Sequence, residues 1–240
     1  RKVMGDIYTI TLVGFFVGVA GTGLGGLFAP FIKEENQKLL SCLLGLTGGL
    51  MLSIVTFELL PQSYILGGLI TEIIGILLGI IVVISVEEIT VGKDYNELMK
   101  SGIILSISMG IHNLPEGLAI GSSFMAHKEM GITLALAILV HNIPEGLALV
   151  APLKAGKLPN WKIILIALIV GVPTGVGAFI GAYLGTVSNY LISFCLSFAG
   201  GTMLYIICND LIPNAKTLHS GRASTIWIII GFILGMLTIF

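Results

Sequence analysis

GGLMLSIVTFELLPQS (48–63) returns 152 residues later as GGTMLYIICNDLIPNA (200–215). Both copies hold a glycine pair, a Met-Leu step, a carboxylate and a proline in a run that is otherwise mostly apolar. VGVAGTGLGG (17–26) has a similar partner in VGVPTGVGA (170–178), and IGILLG (74–79) in IGFILG (230–235). At a shorter spacing of 29 residues, HNLPEGLAI (112–120) matches HNIPEGLAL (141–149). Four pairs in chain order define an internal repeat, which decides architecture ahead of any local pattern.

The repeat units are membrane spans. The chain has 240 residues, 55% hydrophobic and 10% charged, and its mean hydropathy is +1.04. A water-soluble domain of this size needs far more polar surface. Apolar segments at 7–31, 39–60, 65–86, 102–125, 130–153, 161–185, 189–212 and 224–240 are each long enough to cross a hydrocarbon core of about 30 Å. The 32 glycines fit helices that approach each other closely in lipid, and the alternation of a membrane barrel is absent. The first apolar run is too long for a removable signal peptide. Cys42, Cys195 and Cys208 lie inside spans without metal-knuckle spacing, which predicts packing roles.

Charge sets the orientation. Lys33, Lys38, Lys93, Lys100, Lys154, Lys157, Lys162, Lys216 and Arg222 fall in alternate connections, against Arg1, Lys2 and Lys128 on the other side. The positive-inside rule makes the Lys-rich side cytoplasmic and turns both termini outward. Each repeated pair then joins one upward to one downward span. The expected fold is an all-α integral membrane protein of eight transmembrane helices in a 3+2+3 inverted-repeat bundle. It is one transmembrane domain over 1–240, with helices 1–3 at 7–86, helices 4–5 at 102–153 and helices 6–8 at 161–240. Secondary transporters are often built this way, with the site near mid-bilayer.

The two HNxPEG segments supply the chemistry. His112 and Glu116 share a helix face, as do His141 and Glu145, because residues four apart are neighbours. Asn113 and Asn142 lie about 100° around from their histidines. Pro115 and Pro144 predict kinks that free the carbonyls of Ile111 and Val140. A carboxylate at bilayer centre costs on the order of 3 kcal/mol. No Lys or Arg lies within a turn of either motif, so a cation from outside is the expected partner. Imidazole, carboxylate and amide oxygen together suit Zn²⁺, Fe²⁺, Mn²⁺, Co²⁺ or Cd²⁺; copper(I) prefers sulfur and Ca²⁺ oxygen alone.

With these motifs on helices 4 and 5 of eight, the chain resembles the ZIP (Zrt- and Irt-like) family of divalent metal transporters, particularly its prokaryotic branch. The resemblance implies His112, Asn113, Glu116, His141, Asn142 and Glu145 as metal ligands, Met51 as an added soft contact, and Asp210, beside Asn209, as an exit-path contact. It implies a divalent metal as transported substrate, zinc foremost, moved toward the cytoplasm by alternating access. The bilayer of a prokaryotic plasma membrane is the expected setting, and a homodimer stays open. The carboxylate that some members carry on helix 6 is missing from GVPTGVGA (171–178), which puts a second metal in doubt, and residues 87–100 contain no histidine.

Other classes fare worse. The glycines at 21–26 lack the lysine of a phosphate loop and sit in a span. No basic patch with aromatics suggests nucleic acid. An intramembrane zinc-dependent hydrolase is the alternative from another class, since the same side chains could hold a metal and an activated water, but HExxH is absent. Glu58 and Asp210 occupy equivalent repeat positions, where a cation vestibule competes with plain solvation. Glu72 is expected to make a buried hydrogen bond, while His127 and His219 fall in loops.

Overall fold

The computed structural model describes residues 2–31, 37–90, 97–155 and 157–239, so that Lys33 and Lys93 lie outside the described residues. Among the described residues the regular structure is helical, with no strand. This follows from an apolar chain whose backbone must satisfy its own hydrogen bonds in lipid. The elements are α1 (Lys2–Leu27), α2 (Gln37–Ile54), a π-helical turn (Val55–Leu59), α3 (Leu60–Thr90), α4 (Glu97–Ala126) and α5 (Lys128–Ala155). They continue as α6 (Asn160–Val170), α7 (Val172–Gly185), α8 (Asn189–Ile206), a second π turn (Ile207–Leu211), α9 (Ile212–Leu218) and α10 (Ala223–Ile239).

Five described stretches are long and apolar enough to cross a membrane: Asp6–Leu27, Gln37–Ser85, Lys128–Leu147, Asn160–Gly185 and Asn189–Leu218, with Ala223–Leu237 somewhat shorter. The second is 49 residues long and is divided at Gly68, whose φ of 73° and ψ of 174° suit a residue without Cβ. The surface is apolar like the core, and a few ionisable or amide side chains are buried within it. Phe16, Ile65, Ile70, Trp161 and Leu237 are exposed, while Asn113, Glu116, His141, Asn142 and Glu145 are buried. Such a molecule is at home in lipid, and the chain is an integral membrane protein.

The boundaries near the repeated prolines differ from the sequence expectation. The second span runs past Pro61 to the break at Gly68, and the seventh runs past Pro213 to Leu218. The π turns explain both. The amide of Leu60 bonds to the carbonyl of Val55 and that of Ile212 to Ile207, so a widened turn precedes each proline and absorbs it. The two π turns are themselves 152 residues apart, and they carry Glu58 and Asp210. By contrast, Pro115 and Pro144 leave α4 and α5 helical throughout. Cys42 and Cys195 are buried as expected; Cys208 is not, because the second π turn leaves it on the outer surface.

Packing follows the repeat. The main contacts of α3 are with α8 and those of α2 with α10; likewise α4 packs on α7 and α1 on α5, while α4 meets α5 and α1 crosses α6 and α7. A Cβ on Gly146 would strike the backbone of Thr22 and one on Gly25 the backbone of Ile143; equivalently, Gly117 lies against Thr174 and Gly177 against Leu114. Backbones meet directly at these crossings, as small residues permit in membranes. Hydrogen bonds repeat as well. Ser41 Oγ donates to the carbonyl of Ala215 at 2.6 Å, and Ser193 Oγ to that of Ser63 at 2.8 Å. Ser41→Ala is expected to cost about 1 kcal/mol and lower the unfolding temperature in detergent by roughly 2–4 °C. Thermal unfolding followed by circular dichroism checks this, and an unchanged midpoint would show the bond to be idle.

Candidate metal centre

The site forms where α4 and α5 face each other in the interior. Spacing within each helix presents Glu116 from α4 and His141 and Glu145 from α5, and the helix pairing brings them together. One ligand atom from each of these three residues lies within 4.8 Å of the others. His141 Nε2 is 2.8 Å from Glu116 Oε1, and both side chains are fully buried. Glu145 is 1% exposed.

Asn142 completes the group. One end of its amide is 3.2 Å from His141 Nε2, 3.2 Å from Glu116 Oε2 and 3.3 Å from Glu145 Oε2. An amide can be turned either way about. With Nδ2 inward, its two N–H groups donate to the Glu116 and Glu145 carboxylates. With Oδ1 inward, four acceptors converge on a point that suits a cation. Metal–ligand distances of about 2.0–2.2 Å place neighbouring ligand atoms about 3.0–3.5 Å apart in a tetrahedral or octahedral shell. The spacings around Asn142 fall in that range. Two carboxylates also balance the charge of one dication, which is the compensation a buried acid pair needs.

The other expected residues are His112, Asn113, Met51 and Asp210. His112 lies on α4 at its expected position, but its side chain is outside the described residues. Asn113 is fully buried, and its Nδ2 donates to the carbonyl of Val170 at 2.7 Å. Met51 is fully buried on α2, a helix that packs against α5. Asp210 is half-buried on the second π turn, where Oδ1 accepts from Asn209 Nδ2 at 3.2 Å, and it is not part of the Glu116–His141–Glu145 group. Sequence reasoning missed the break at Gly171, which makes Val170 available to Asn113. The signal was present in Gly171-Val172-Pro173, a glycine and a proline within one apolar span.

Glycines hold this arrangement together. A Cβ on Gly21 would come within 2.5 Å of Asn142 Cβ, so α1 presses directly on the helix that presents the amide. The crossings of Gly146 with Thr22 and of Gly117 with Thr174 lie one residue beyond Glu145 and Glu116. Each acid is thereby anchored at a point where two backbones touch.

Comparison with known proteins agrees with the site's chemistry. The family model described as ZIP Zinc transporter matches residues 87–240, which include both HNxPEG motifs. "Zinc transporter ZupT" of Chlorobaculum parvum is 30% identical over 237 residues, covering 87% of each chain. The protein of the same name from Corynebacterium glutamicum is 30% identical over 248 residues, covering 92% of each. "Zinc transporter ZIP11" of Xenopus tropicalis is 33% identical over 152 residues, 60% of this chain and 44% of that protein. With the family model spanning more than half of the sequence and bacterial relatives aligned along most of it, the chain belongs to the ZIP family of zinc transporters, on its prokaryotic side.

Proposed function

We propose that the protein carries a divalent transition metal, zinc foremost, across a prokaryotic plasma membrane toward the cytoplasm, through the site formed by α4 and α5. The observation that carries this is the buried convergence of Glu116, His141, Glu145 and the Asn142 amide. Family membership identifies a transporter and sets the hydrolase reading aside. The mixed oxygen and nitrogen donors favour Zn²⁺ over Ca²⁺. An entering metal displaces the proton shared between His141 Nε2 and Glu116 Oε1, so apparent affinity rises with pH. The motif's family resemblance adds His112 to the proposed ligand set.

An eight-span 3+2+3 inverted repeat is supported by the paired contacts, the two π turns at the repeat spacing, and the matched serine bonds, while outward termini rest on the lysine asymmetry of the connections. Movement of α1, α4, α5, α6 and α7 against α2, α3, α8, α9 and α10 then exposes the site to alternate sides. In purified protein reconstituted into vesicles, Zn²⁺ uptake is expected to be saturable and to exceed Ca²⁺ uptake by about 100-fold. Equal entry of both ions, or no entry of zinc, would remove this reading.

A further inference from the structure

We infer that Asn113 is a positioning residue that ties α4 to the break between α6 and α7, so that passage of the metal depends on it while binding does not; this presupposes the transport reading above. The tie has a local cause. Pro173 has no N–H to continue the helix. The amide of Thr174 bonds to the carbonyl of Gly171 at 3.3 Å instead of reaching back to Val170. The Val170 carbonyl therefore needs a donor, and Asn113 Nδ2 supplies it at 2.7 Å. That bond also settles the amide's orientation. Asn113 Oδ1 must turn the other way, and it is buried with no hydrogen-bond partner among the described residues.

The repeat provides an internal comparison. Asn142 occupies the matching position on α5, but α1 is continuous through Gly18, and Thr22 Oγ1 donates to the Gly18 carbonyl at 2.6 Å. Asn142 is thus released from any such duty, and its amide sits among Glu116, His141 and Glu145. Thr174, the repeat mate of Thr22, has a buried hydroxyl with no hydrogen-bond partner among the described residues. One half holds its threonine bonded and its asparagine at the metal position; the other holds its threonine unbonded and its asparagine on the broken helix. Asn113 is one turn before Glu116 on α4, so displacement of the α6–α7 break is transmitted to a metal ligand.

The test compares the wild type with Asn113→Leu, Pro173→Ala and the double variant, each full-length and reconstituted in vesicles. Zinc affinity is read by equilibrium binding, and maximal flux and half-saturating concentration by initial uptake. Asn113→Leu is expected to lower maximal flux about tenfold while zinc affinity and half-saturation stay within about threefold of wild type. Pro173→Ala lets the Thr174 amide reach Val170 and should reproduce the loss. The double variant should be no slower than the slower single one, because both act on one link. A tenfold loss of zinc affinity in Asn113→Leu would make Asn113 a ligand and overturn the inference, as would multiplying losses in the double variant. If Asn113→Leu does not fold, Pro173→Ala decides alone: unchanged flux sinks the proposal. Failure of the transport reading looks different, with no zinc flux in the wild type.

Discussion

Glu116→Gln is expected to reduce zinc uptake at least about 100-fold in reconstituted vesicles while the protein remains folded. Glutamine has nearly the same shape, and its amide can still meet His141 Nε2, which lies 2.8 Å from the native carboxylate. What disappears is one of two negative charges in a site sealed from solvent. Leaving a buried charge without its counterpart costs about 3–5 kcal/mol, which corresponds to roughly 100- to 1,000-fold or more in affinity. Glu145→Gln should behave alike, because Glu145 belongs to the same group and is equally buried. Zinc binding by calorimetry and uptake by tracer flux separate loss of the site from loss of the fold. Retention of flux to within about threefold in both variants would show that the acids do not hold the ion.

Gly146→Leu is expected to destabilise the protein by about 3 kcal/mol, or roughly 6–12 °C in unfolding temperature, and to remove transport with it. A Cβ there collides with the Thr22 backbone, which has no rotamer through which to escape. The separation of α1 from α5 would also shift Asn142, against which Gly21 is packed. Gly110 is the control, since a Cβ at that point of α4 meets nothing within 4 Å. Gly110→Ala should change stability by less than about 0.5 kcal/mol. Similar thermal midpoints for the two variants would mean that the α1–α5 crossing is not a close backbone contact.

Much of this architecture is legible in one dimension. Apolar length, the Lys-rich connections and the 152-residue echo suffice to expect an all-α membrane protein with internal symmetry. Four-residue spacing places each histidine over its glutamate, and the cost of burying two acids calls for a dication. Helix ends were less accessible. Pro61 and Pro213 read as terminators, yet each follows a π turn that carries the helix onward. Pro115 and Pro144, by contrast, lie inside helices that continue past them. A proline's effect depends on whether the carbonyl it abandons finds another donor, which lies elsewhere in the chain.

The two asparagines mark the boundary between these levels. Residue type and spacing alone determined that Asn113 and Asn142 would be equivalent, each beside a histidine and a proline. Only the tertiary structure decided that one faces the acids and the other the Val170 carbonyl. An amide turns toward whichever buried polar group lacks a partner, and that vacancy arises from a break in α6–α7, 57 residues farther along the chain.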